Sequence, residues 1–114
     1  MGWIGVDLDA TLAHYDGFKS TTHIGKPIKK MVRRVKKWLK EGTEVRIFTA
    51  RAEHPESIPV IEEWCLKHIG MKLRITNVKD FKMWQLWDDR CIQVVPNTGE
   101  PVGKVAKWLT TKKC

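Results

Sequence analysis

Apolar and polar positions fall into short blocks whose period changes along the chain, and the blocks define its elements. Trp3-Ile4-Gly5-Val6-Asp7-Leu8 is an apolar, partly β-branched run of the length of a buried strand, and it closes on two carboxylates, Asp7 and Asp9. Residues 13–25 show no clear period and are rich in turn formers, so they form a loop or small hairpin. Ile28, Met31, Val32, Val35, Trp38 and Leu39 then recur at three- and four-residue spacing, the apolar stripe of a helix that Pro27 opens and Gly42 closes. Residues 43–48 read as a strand that breaks at Thr49-Ala50-Arg51. Ile58, Ile61, Cys65 and Ile69, with Trp64 beside them, mark a second helix over 56–68, with Pro59 harmless in its first turn. A short third strand spans 73–76. A loop over 77–80, one helical turn over 81–84 and an apolar approach at Gln85-Leu86-Trp87 lead to Asp88-Asp89. The last strand is expected over 91–95, a turn over 96–99, and a terminal helix over 103–110 with Val105, Trp108 and Leu109 inward.

Strands alternating with helices predict an α/β fold: three layers, α/β/α, with a mostly parallel, Rossmann-like sheet of about five strands joined by right-handed crossovers. Ligands of such sheets bind at the carboxyl ends of the strands. Asp7, Thr49 and the Asp88-Asp89 pair all fall at such ends, and Lys79 lies in a loop on the same edge. No repeat, linker or low-complexity segment interrupts the chain, so residues 1–114 are expected to form a single domain.

Composition narrows the class. Hydrophobic residues make up 42% of the chain, with six tryptophans, which is enough to fill a core and argues against disorder. No apolar stretch approaches the roughly 18 residues of a membrane span, so a soluble, cytoplasmic protein with no membrane partner is expected. Cys65, Cys91 and Cys114 are odd in number and lack metal-ligand spacing, which fits free thiols in a reducing compartment. The net charge of +8 favours a polyanionic partner or substrate. Lys29, Lys30, Arg33, Arg34, Lys36, Lys37 and Lys40 crowd the polar side of the first long helix, with Glu41 as the one acid near them. That side is either a solvated face or a contact for a polyanion. The tryptophans at 38, 64, 84, 87 and 108 are expected to pack in the core.

Two readings of the Asp7–Thr11 string stand side by side. It is a strand-to-loop junction with a local Asx-turn at Asp9 and a locally bonded Thr11, or it is part of a site. On the second reading the predicted rim gathers up to four carboxylates, a hydroxyl and an ammonium. Like carboxylates so close need a cation to stay ionised, and hard oxygen donors with room for water suit Mg²⁺. The cation, Thr49 and Lys79 would then surround a phosphoryl group, leaving one carboxylate to attack phosphorus and another to move protons.

Taken together, Val6-Asp7-Leu8-Asp9-Ala10-Thr11, Phe48-Thr49, Lys79 and Leu86-Trp87-Asp88-Asp89 resemble the four motifs of the haloacid dehalogenase (HAD) superfamily of phosphatases, in the family's order and over nearly the whole chain. The resemblance implies a HAD-like phosphoric monoester hydrolase. Asp7 would be nucleophile and Mg²⁺ ligand, and Asp9 would be general acid and base, binding the metal through its carbonyl. Thr49 and Lys79 would hold the phosphoryl oxygens, Asp89 would be a further metal ligand, and Asp88 would partner Lys79 or a metal-bound water. Ala10 stands where the family most often has Gly, at a cost of about 1 kcal/mol if the turn is left-handed. The short gaps between motifs imply a member without a cap domain, open to bulky phosphorylated substrates such as a nucleotide or a nucleic-acid end, with a small sugar phosphate as competitor. Thr11, Arg51 and Arg90 are candidate substrate contacts, the arginines equally well rim salt bridges. His14, Tyr15 and His23 lie in the loop nearest the aspartates. Two rivals remain: a receiver-like signalling domain, whose acids, Thr and Lys should come in another order, and a catalytically inactive nucleic-acid-binding module. The oligomeric state is open.

Overall fold

The computed structural model describes residues 2–111. Its centre is β1, Trp3–Val6, whose four residues are all buried. A strand buried on both faces and paired along both edges must be apolar throughout, which is why this run shows no alternation. β1 pairs in parallel with β2, Glu44–Phe48, on one side and with β4, Met83–Trp87, on the other. β3, Arg74–Thr76, extends the sheet beyond β2, so the strand order is β3-β2-β1-β4, four strands, all parallel.

Two helices of twelve residues each connect the strands, α1 over Lys29–Lys40 and α2 over Ser57–His68. α1 ends as its sequence foretells. Gly42 takes φ 87°, and the N–H groups of Gly42 and Thr43 donate to the carbonyls of Leu39 and Trp38 at 3.1 and 2.9 Å, a Schellman motif. Its start differs from expectation. The 26–28 backbone pairs with 12–14 (His14 N–H to Lys26 O and Ile28 N–H to Leu12 O, both 2.8 Å), so Pro27 lies in a short bridge and the helix begins two residues later.

The steps from β1 to β2 and from β2 to β3 run in one direction, and right-handed crossovers then place both helices on one face. The core agrees: Ile4, Val6, Val45 and Ile47 cluster with Met31 and Val35 of α1 and Ile61 and Cys65 of α2. Among the described residues the sheet has four strands where about five were expected, and both long helices lie on the same side where three layers were expected. On the opposite face Trp3 is covered by Arg46, whose guanidinium carbon lies 4.3 Å from the ring centroid, and its indole N–H donates to Asp80 at 2.8 Å. Gly5 belongs to that face, where a side chain would press on Trp3, Leu86 and Phe48.

The helical turn expected over 81–84 and the strand expected over 91–95 are both corrected. Met83–Trp87 is the strand beside β1, with a register shift in which Ile4 pairs with Gln85 and Trp3 with Met83, leaving Trp84 as the extra, 64% exposed residue. Residues 91–95 fold back on themselves around the turn at 96–99: Val95 N–H donates to Glu100 O and Val102 N–H to Gln93 O, with one isolated bridge, Val94 to Pro101. Among the described residues the terminal helix, α3, spans Lys107–Thr111 and begins later than the expected residue 103, and Trp108 is 45% exposed rather than inward. Trp64 is buried, and Trp38 and Trp87 are half-buried with ring centroids 5.2 Å apart. Cys65 and Cys91 are free thiols, the first buried, the second exposed; Cys114 lies outside the described residues. No helix among the described residues is long and apolar enough to cross a membrane.

Candidate active site

A cleft of about 560 Å³ opens at the carboxyl ends of the strands, lined by Asp7, Asp9, Thr49, Asp88 and Asp89, with Arg51, His54, Asn77, Arg90, Tyr15 and Phe18 around them. Asp7 is the first residue beyond β1, and its N–H donates to Trp87 O at 2.9 Å. This bond sews the end of β1 to the end of β4, so the acids that follow each strand meet. One carboxylate oxygen each from Asp7, Asp88 and Asp89 lies within 4.8 Å of the others.

Thr11 stands between them. Its hydroxyl accepts from Asp89 N–H at 3.1 Å and reaches Asp89 Oδ1 at 3.2 Å and Asp7 Oδ2 at 3.5 Å, two acceptors for its one proton. The chain turns to this position through Ala10, at φ 68°, in the left-handed region where Gly is at ease and Ala is strained. Asp88 is held differently, its Oδ1 accepting from Arg90 N–H at 2.8 Å. Burial pushes the Asp7 carboxyl up to about 8, aided by its hydrogen bond with Asp89 and by the charges of Asp88 and Asp89.

Asp9 sits apart from this group. Arg51 grips it with two parallel bonds, Nε to Oδ2 at 2.8 Å and Nη2 to Oδ1 at 3.1 Å, while Nη1 donates to the carbonyls of Ser20 and Thr21. The pair is bidentate and Arg51 is 8% exposed, the geometry in which such a contact is strong. Asp9 bonds to a side chain 42 residues away, and Thr11 to Asp89 across 78 residues as well as to Asp7 four residues back, so the string is held by long-range partners besides its own turn. Arg51, expected as a substrate contact, has its guanidinium engaged with protein groups and locks residues 20–21 over the end of β2. Ser57 Oγ adds a 2.6 Å bond to Thr21 O.

Thr49, just past β2, is buried, and its hydroxyl oxygen accepts from Arg51 N–H at 3.2 Å as the cap of a 3₁₀ turn over Ala50–Glu53. Lys79 is exposed on the loop between β3 and β4 and does not line the cleft. Its charge is felt at Cys91, whose largely exposed thiol is pushed up by partial desolvation and by Asp88, Asp7 and Asp89, with Lys79 opposing. Asn77, His54 and Phe18 line the cleft without having been singled out from sequence. Asn77 follows a strand end and carried that positional signal; nothing local marks His54 or Phe18. His14 and His23 are outside the lining. A larger depression, about 830 Å³ between residues 22–27 and α2, has Glu63 as its one carboxylate and gathers no acid group of this kind.

No protein-family model and no curated protein matches the sequence. Among solved structures the chain is similar to a conserved protein from Bacteroides thetaiotaomicron, with a TM-score of 0.61 and 23% identity over 84% of this chain and 82% of that one. At this identity the likeness is one of fold.

Proposed function

We propose that the protein is a HAD-type phosphohydrolase that cleaves a phosphomonoester through an aspartyl-phosphate on Asp7, with Mg²⁺ as cofactor. The observation that carries this reading is the convergence of Asp7, Asp88 and Asp89 at the adjoining ends of β1 and β4, in a cleft that also contains Asp9 and Thr49. The donor set fits the cation. All three groups are hard oxygens, and a carboxyl pushed up to about 8 marks a cluster short of positive charge. Asp7 and Asp89, with Asp88 close by, would hold the ion, which supplies charge neutralisation at the phosphoryl oxygens when bound.

The chain's own residues carry the steps. An Asp7 carboxylate oxygen attacks phosphorus, the bond to the ester oxygen breaks, and Asp9 gives that oxygen its proton. Water then attacks phosphorus, Asp9 takes the water's proton, phosphate leaves and the Asp7 carboxylate is restored. Both Asp9 oxygens are held by Arg51, so one of those contacts must open for each proton transfer, and Arg51 acts as a positioning residue. Thr49 and Lys79 serve the phosphoryl oxygens, Lys79 by extending inward from its exposed loop.

The test is turnover of p-nitrophenyl phosphate and a panel of phosphate esters with Mg²⁺ or EDTA. Many turnovers per protein are expected with Mg²⁺ and none with EDTA, and Asp7→Asn should lower the rate at least about a thousandfold with the fold intact. Wild type as inactive as Asp7→Asn on the whole panel refutes the reading. Slow, single-turnover phosphorylation would instead indicate a receiver.

A further inference from the structure

Seven basic side chains of α1 have no acidic partner among the described residues. At 100° per residue, Lys29, Lys30, Arg33, Arg34, Lys36, Lys37 and Lys40 all fall within an arc of about 160°, opposite the buried Met31, Val32 and Val35. Among the described residues no carboxylate lies within 4.0 Å of any of them, although Arg46 and Arg51 each find acids. Their mutual repulsion is thus left standing, which a purely solvated face gains nothing from.

One end of this charged face lies beside the strand ends that carry the acids, although none of its seven side chains lines the cleft. The guanidinium carbon of Arg34 lies 5.3 Å from the ring centroid of Trp87, the last residue of β4 and the one before Asp88-Asp89. The start of α1 is tied to the loop that carries Thr11 by the bond from Ile28 N–H to Leu12 O. The basic arc therefore begins at the rim and runs away from it for about 18 Å, the length of a twelve-residue helix. At the rim Tyr15 and Phe18 are 42% and 65% exposed, aromatic surfaces on which bases can stack.

We propose that this face of α1 is a track for the phosphate backbone of a single-stranded nucleic acid whose end reaches the cleft. Evenly spaced anions match a row of cations of this length, and base stacking at the rim completes the pattern of single-strand binders. An anionic membrane is the weaker match, because the apolar stripe of α1 is buried in the core and nothing apolar on the helix is left to enter a bilayer. The proposal rests on the phosphohydrolase reading only for the fate of the bound end.

The experiment pairs binding with turnover. Fluorescein-labelled (dT)₁₂ is titrated with wild type and with Lys30→Glu/Arg33→Glu/Lys37→Glu at 50 and 200 mM KCl, each first checked for a normal thermal melt. With three or more phosphates contacted, wild-type affinity should fall about twentyfold over that range, and the variant should bind at least tenfold more weakly with a flatter salt slope. The variant's kcat/KM for 5′- or 3′-phosphorylated (dT)₁₂ should fall at least tenfold while p-nitrophenyl phosphate turnover is unchanged. Salt-dependent binding lost in the variant, in a protein that turns over no phosphate ester, refutes the enzyme reading and leaves the track standing. Equal binding by variant and wild type, binding insensitive to salt, or binding to phosphatidylserine vesicles but not to (dT)₁₂ overturns the track.

Discussion

Replacing Asp7 by Asn removes the charge that the folded protein accommodates worst, so the variant that loses activity should gain stability. An aspartate titrates near 4 in an unfolded chain, whereas burial, the Asp89 hydrogen bond and the neighbouring charges push Asp7 up to about 8 in the fold. Between those values the folded state keeps a proton that the unfolded state has released. Stability therefore falls as pH rises through the window; the penalty is absent below about pH 4 and complete above about pH 8. At 1.36 kcal/mol per unit the whole shift would amount to about 5–6 kcal/mol. Asp7 is only partly buried and water screens its neighbours, so roughly 2 kcal/mol is the size expected. Asn has the same shape and no charge. In EDTA, urea unfolding should find Asp7→Asn more stable than wild type by roughly 2 kcal/mol at pH 8.5, a Tm difference of about 8 °C for a chain of this length, with the gap much reduced at pH 5. Mg²⁺ at about ten times its dissociation constant should restore about 1.4 kcal/mol to wild type and less to the variant. A gap of equal size at both pH values, or a less stable variant at pH 8.5, refutes the argument that these acids are uncompensated.

Two further substitutions probe the same turn. Ala10→Gly relieves a left-handed alanine at φ 68° and, after allowing for the greater freedom of glycine when unfolded, should stabilise by about 0.5–1 kcal/mol in chemical denaturation, with the opposite sign counting against strain at this position. Thr11→Val keeps the shape but leaves Asp89 N–H without its acceptor; it should cost about 1–2 kcal/mol and weaken Mg²⁺ binding by about 10–100-fold in calorimetry, and unchanged Mg²⁺ affinity would deny Thr11 its part in aligning the acids.

Where a residue's role depends on its own segment, the sequence was enough. The apolar run of β1, the stripe of α1 and its glycine stop, the turn at 96–99 and the strand ends carrying Asp7 and Thr49 all follow from periodicity and turn chemistry, because a segment's pattern reports which side meets water. The left-handed turn at Ala10 had no local signal in the alanine itself; only the resemblance, whose motif most often has glycine at that position, pointed to it. Tertiary structure decided the rest. Two apolar runs, 83–87 and 91–95, competed for the place beside β1, and only the register of pairing with Trp3–Val6 selects the first. That choice left Trp84 exposed, while the single direction of the steps from β1 to β2 to β3 put both long helices on one face. Likewise no spacing rule pairs Asp9 with Arg51 or Thr11 with Asp89 across 42 and 78 residues. Such partners are set by which strand ends the sheet brings together, and the contact of Arg34 with Trp87 that sets the basic helix against the end of β4 arises in the same way.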